Sequence, residues 1–175
     1  MQSKLDNKVR SLACGILMLA SSGVLASSMY AGGSFSSVDL EAFGEGPTMD
    51  VLSGRIGKQW NEHMSGELRM GFGLGHDSIN GYDFEIDNFF GAYLKIGSLV
   101  DDRFYPYIII GQTRGKLSVD DGYETESDSE SDTSFGFGAD LKISDSVSLT
   151  IENMNYLDKG VVDISGFSLG FISQF

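Results

Sequence analysis

Period-two alternation runs through this chain after its first 26 residues, and it constrains the fold more than any other feature. Side chains alternate between the two faces of a strand, so each such stretch carries one apolar face and one small or polar face. The clearest case sets Met64, Leu68, Met70, Phe72 and Leu74 against Ser65, Glu67, Arg69, Gly71, Gly73 and Gly75. Eight stretches read this way, roughly 29–40, 49–60, 64–75, 90–97, 104–117, 134–143, 147–152 and 166–175. No helix-period stretch interrupts them. In the fifth stretch both parities are apolar around Tyr105 to Ile110, and its inward face is assigned from Gln112 and Arg114.

Alternation alone does not say which face points outward. The polar parity decides, because much of it is glycine: Gly57, Gly71, Gly73, Gly91, Gly136 and Gly138 among others, from 23 glycines in 175 residues. A water-facing wall calls for Lys, Glu and Thr. Glycine weakens a strand unless another group approaches closely. A closed eight-stranded barrel is just wide enough for side chains to fill it, so small residues and a few long charged ones fit its interior. Phe, Leu, Ile and Met then face lipid. Roughly ten residues at about 3.3 Å each, tilted by about 40°, cover an apolar band of ~25 Å. Aromatics near the stretch ends (Trp60, Phe104, Tyr105, Tyr107 and Phe175 on one side, Phe89 and Tyr156 on the other) read as interfacial girdles.

Connections alternate in length. Residues 61–63, 99–103 and 144–146 are short, whereas 41–48, 76–88, 118–132 and 158–162 are longer and polar. Short turns on one side and long loops on the other place the long loops outside the cell and both termini on the periplasmic side. Backbone groups in lipid must all be paired, so the first strand must bond the last.

The N-terminus reads as an export leader. Lys4, Lys8 and Arg10 precede an apolar run from Leu12 to Leu25, too short for a relaxed membrane span, and Val24-Leu25-Ala26 suits cleavage before Ser27. The expected domains are therefore a cleaved signal peptide, 1–26, and a barrel, 27–175. Cleavage removes three cations and one carboxylate, taking the formal net charge from -13 to -15. So acidic a chain has no basic face for nucleic acid.

The whole expected mature chain resembles the eight-stranded outer-membrane β-barrel family, opacity-type and OmpA-like. The carriers are Ser53-Gly54-Arg55-Ile56-Gly57, Arg103-Phe104-Tyr105-Pro106-Tyr107 with Gly111, and Phe135-Gly136-Phe137-Gly138-Ala139. A last strand with Phe167, Leu169 and Phe171 on one parity, closing on Phe175, resembles the family's assembly signal. The resemblance implies an all-β, antiparallel up-and-down transmembrane barrel in the outer membrane. Its implied partners are outer-membrane lipid and lipopolysaccharide, with the barrel-assembly machinery and periplasmic chaperones during biogenesis. No cofactor is expected.

The inward parity carries Arg55, Glu67, Arg69, Lys95, Arg114, Asp140, Lys142 and Glu152. Unpaired buried charge is costly, so these groups must pair, and the expected result is a salt-bridged plug, not an ion path. Asp120, Asp121, Glu124, Glu126, Asp128, Glu130 and Asp132 crowd one predicted loop. Oxygen-rich sets favour Ca²⁺ or Mg²⁺, but the EF-hand glycine and final glutamate are missing, so only diffuse divalent bridging is expected. His76-Asp77-Ser78, with Glu85 nearby, matches the His-x-Ser spacing of a lipid A deacylase family, yet lies in a predicted loop without the surrounding motif. The expected function is structural or surface-interactive: envelope integrity, adhesion or ligand contact through acidic extracellular loops, without catalysis. A narrow porin and a lipid A-modifying esterase are the alternatives.

Overall fold

The computed structural model describes residues 29–42, 46, 48–79, 82–120, 125–159 and 162–175. The expected leader and its cleavage site lie outside the described residues. Nine strands follow one another: β1 (Met29–Ala42), β2 (Thr48–Gln59), β3 (Met64–Gly73), β4 (His76–Ile79), β5 (Tyr82–Gly97), β6 (Phe104–Asp120), β7 (Thr125–Lys142), β8 (Val147–Lys159) and β9 (Val162–Gln174). Every pairing is antiparallel, each strand bonds its sequence neighbour or the next, and β1 closes on β9 from Tyr30↔Gln174 to Ala42↔Val162. β3 and β4 share one wall position, both pairing with β5 and broken only at Leu74 and Gly75. The result is an eight-stranded closed barrel.

The alternation resolves as an apolar outside and a filled inside. Phe137, Ile108, Met70, Leu169 and Phe35 stand exposed on the outer wall, whereas Lys95, Glu67, Arg69 and Glu152 are buried in the lumen. So large a continuous apolar surface in water would drive aggregation; in hydrocarbon it is the matched solvent. Glycine on the inward parity answers to tyrosine. Tyr107 sits opposite Gly138 and Gly97, Tyr93 opposite Gly111, and Tyr30 opposite Gly57. A Cβ on Gly138 would stand 2.6 Å from the Tyr107 hydroxyl, and one on Gly57 would meet the Tyr30 ring. Only glycine lets these rings lie flat across the neighbouring strand.

Several expectations are corrected. β6 turns its other face inward: Tyr107, Ile109 and Thr113 are buried, and Ile108, Ile110, Gln112 and Arg114 are exposed. Ile108-Ile109-Ile110 carries no alternation to read; Ile109 is buried inside with Tyr107, Tyr93 and Met154, and Gly136 is its cross-strand partner. The expected girdle loses four members. Tyr107 is buried in the lumen, Tyr105 is half-buried at its lower end, and Phe89 and Tyr156 pack against each other inside. Trp60 and Phe104 remain exposed.

The long polar loops are mostly strand. Residues 76–79 pair with 82–85, and the β6–β7 hairpin keeps register from Phe104↔Leu141 to Asp120↔Thr125. The acidic run therefore lies largely on β7. His76-Asp77-Ser78 sits on β4, not in a loop, with His76 opposite Glu85 in register. Both termini of the described barrel lie with the turns 60–63, 98–103 and 143–146, and the Phe175 amide donates to the Met29 carbonyl at 3.0 Å.

Candidate functional site

The lumen is built in three layers. From the short-turn end, a water-accessible vestibule of about 440 Å³ narrows past Tyr105 and Ser65 onto Lys95 and Asp140. A charged layer follows. Above it, toward the hairpins, the inward face turns apolar.

The charged layer holds three cations and three carboxylates. Arg69, from β3, donates through Nε to Glu67 at 2.7 Å and through both terminal nitrogens to Glu152 on β8, with Nη2 at 2.9 Å. Arg55 of β2 donates to Ser34 at 3.2 Å, and its Nη1 lies 3.7 Å from Glu67 and 3.6 Å from Glu152. Among the described residues that Nη1 has no hydrogen-bond partner, and the two carboxylates hold it by their field and not by a directed bond. Lys95 of β5 reaches Asp140 of β7 at 2.5 Å and lies 3.8 Å from the Tyr107 ring centre. Such a cation over an aromatic face is stabilised by the ring quadrupole, more so when water is excluded.

Tyrosines complete the coordination. Tyr30 donates to Glu67 at 2.8 Å and Tyr107 to Glu152 at 2.9 Å, while Tyr93 stacks under Arg69 and bonds Thr113 at 2.5 Å. Thr150 donates to Asp140 at 2.8 Å. Seven strands (β1, β2, β3, β5, β6, β7 and β8) therefore meet across the axis through side chains. Charge balances within the layer, and the carboxylates bind several donors each, the condition under which buried ions are tolerated.

Of the eight charged residues expected inside, Arg55, Glu67, Arg69, Lys95, Asp140 and Glu152 come together here. Arg114 does not: it stands on the outer wall of β6, beyond Ile110 and Gln112, where the apolar band gives way to polar side chains. Lys142 has the inward parity but lies at the short-turn rim, exposed and 3.3 Å from Asp145. Sequence reasoning missed the tyrosines. Their signal was present in the glycines they face.

The apolar layer was also missed. Val38, Leu40, Met49, Val51 and Ile86 are buried together, with Phe89, Tyr156 and Ile164 against them. Met49 and Val51 share the parity of Ser53 and Arg55, so the polar face of β2 changes character partway along the strand. The cluster leaves a cavity of about 70 Å³, with Lys116 and Glu130 also on its lining. Lys116 is paired with Asp87 at 3.0 Å.

Of the seven expected cation-binding carboxylates, Asp121 and Glu124 lie outside the described residues. Asp120 ends β6; Glu126, Asp128, Glu130 and Asp132 alternate along β7 on the parity of Asp140, with serines on the other. Among the described residues no group of three or more His, Cys, Asp or Glu is arranged to hold a metal ion. Phe167, Leu169 and Phe171 face outward on β9 and Phe175 is half-buried after its end.

A family model described as the outer membrane protein beta-barrel domain matches residues 11–175. Solved structures agree in fold. Neisserial surface protein A is 14% identical with a TM-score of 0.73, covering 84% of this chain and 97% of that one. Ail, the attachment invasion locus protein of Yersinia pestis, is 11% identical with a TM-score of 0.68, covering 86% and 100%. The N-terminal barrel of Pseudomonas aeruginosa OprF is 13% identical with a TM-score of 0.56, covering 81% and 96%. At such identities the likeness is one of fold. No curated protein matches the chain in sequence.

Proposed function

Since the chain belongs to the outer membrane protein β-barrel domain family, we propose that it is a plugged, non-conducting barrel of the bacterial outer membrane. It contributes to envelope integrity and holds acidic hairpins at the cell surface for contact with other molecules. Its hairpin end faces outward and its short turns face the periplasm. Outer-membrane lipid and lipopolysaccharide surround it, and the barrel-assembly machinery with periplasmic chaperones inserts it after a leader is removed.

The observation that carries this reading is the charged layer. Arg69 hydrogen-bonds both Glu67 on its own strand and Glu152 across the lumen, and an apolar layer sits above it. An ion entering from the vestibule would have to displace Lys95 from Asp140 and then pass a largely apolar layer of Val38, Leu40, Met49, Val51 and Ile86. Eight strands leave no water-filled channel around such a filling. The reading assigns no catalytic step to the lumen.

Planar bilayer recordings test it. The purified barrel should show no steady conductance. Steady single-channel openings, abolished by Arg69→Glu, would establish the narrow porin instead. Release of fatty acid from lipid A, lost in Ser78→Ala, would establish an esterase.

A further inference from the structure

We propose that the cavity at the hairpin end of the lumen binds the aliphatic end of a cationic amphiphile, an alkylamine-type molecule arriving from the exterior medium. This goes beyond the structural role and takes from it only that the hairpin end faces outward.

Three observations carry the proposal. The first is wall chemistry. Val38, Val51, Ile86, Tyr156 and Ile164 turn apolar surface into a lumen that is polar and charged one layer below. The second is space. The cavity holds about 70 Å³, around half the ~150 Å³ of an apolar cavity that takes up benzene. Gly115 lies on its lining, and a Cβ built there meets nothing within 4 Å among the described residues. A layer serving only to fill the barrel would use a side chain at that position. The Arg69–Glu152 layer closes the floor, so a chain end reaches the cavity only from the hairpin end.

The third observation is charge. Among the described residues of the hairpin end, 39–42, 48–50, 77–79, 82–87, 114–120, 125–132, 158–159 and 162–163 hold fourteen carboxylates and three cations. Of those cations Lys116 lines the cavity beside Glu130, and Asp87 holds it at 3.0 Å. An anionic head group would be repelled by this field, and a cationic one drawn into it. The apolar wall and the acidic surround together select an ammonium head with a hydrocarbon tail.

The test uses the full barrel in nanodiscs of zwitterionic lipid, with methyl resonances of Val38, Val51, Ile86 and Ile164 followed by NMR. Hexylammonium, hexanoate and hexanol are titrated separately. Outward methyls of Ile108 and Ile151 report simple partition into lipid. The expected result is saturable perturbation of the cavity methyls by hexylammonium, at least tenfold tighter than by hexanoate, and weaker as salt rises. Gly115→Leu should remove it. Gly115→Ala, whose single methyl meets no neighbour among the described residues, should weaken it by a smaller factor and serves if the larger variant misassembles. Equal effects of all three probes, or hexylammonium binding unchanged in both variants, would overturn the proposal. Neither outcome depends on whether the barrel conducts.

Discussion

Replacing Glu152 by Gln tests the charged layer quantitatively. In the native lumen Arg55, Arg69 and Lys95 balance Glu67, Glu152 and Asp140. Glu152 accepts from both terminal nitrogens of Arg69 and from Tyr107 at 2.9 Å, and lies 3.6 Å from Arg55. The amide keeps the shape but removes the charge and turns an NH₂ toward donors that need an acceptor. One positive charge is then left uncompensated in a side chain that water does not reach. Breaking a buried pair this way costs about 3–5 kcal/mol, which lowers the folded-to-unfolded ratio roughly a hundred- to several-thousand-fold, since each ~1.4 kcal/mol is a factor of ten. The assay is urea unfolding in lipid vesicles, read by heat-modifiable gel mobility. Asp145→Asn, which breaks the exposed pair with Lys142, is the control and should cost under about 1 kcal/mol. The double variant Arg69→Met with Glu152→Met removes a cation and an anion together, and should cost less than either charge removed alone. A Glu152→Gln effect as small as the control's, or a double variant costing the sum of its singles, would refute the claim that these charges hold one another.

Four further outcomes follow from the same geometry. Ile108→Arg or Phe137→Arg places a charge on the exposed outer wall, where each residue is the other's cross-strand partner; in vesicles either should cost about 2–4 kcal/mol near the bilayer centre, measured by the same urea midpoints. Gly138→Val forces a methyl-bearing carbon into the space of the Tyr107 hydroxyl and should destabilise by roughly 1–3 kcal/mol, whereas the Tyr107→Phe background should recover part of that loss. Phe175→Ala should slow insertion into membranes, read as the fraction reaching the compact heat-modifiable form after a pulse of synthesis. If the acidic run bridges divalent cations to lipopolysaccharide, adding a chelator should lower both thermal stability and lipopolysaccharide binding, and indifference of both to the chelator would end that idea.

The barrel was legible in the sequence because two signals agreed over most of its length. Bulky residues such as Phe72, Phe137 and Leu169 held one parity, and glycines with Arg69, Lys95 or Glu152 held the other. Where either signal failed, so did the reading. Ile108-Ile109-Ile110 is apolar on both faces, so only a glycine such as Gly138, whose space the Tyr107 ring takes, could have shown that Tyr107 and Ile109 go inside, and Arg114 out. The strands beyond the membrane were invisible for a different reason. Glu126, Asp128 and the serines between them have poor intrinsic strand preference, and their backbone is held by the register it shares with β6, a partner distant in local composition. The apolar layer was hidden by its position. Val38, Leu40 and Val51 lie on the lumen parity, where hydrophobic residues run against the rule for a barrel interior, and a rule-based reading sends such residues to lipid.

Which wall meets the acyl chains decides the whole account. Trp60 is the chain's only tryptophan, so with Trp60→Phe as background a single tryptophan can be placed at Phe137, Leu169 or Tyr93 and its fluorescence quenched by lipids brominated along their chains. Strong quenching at 137 and 169 and little at 93 is the predicted result. Strong quenching at 93 with little at 137 and 169 would contradict it.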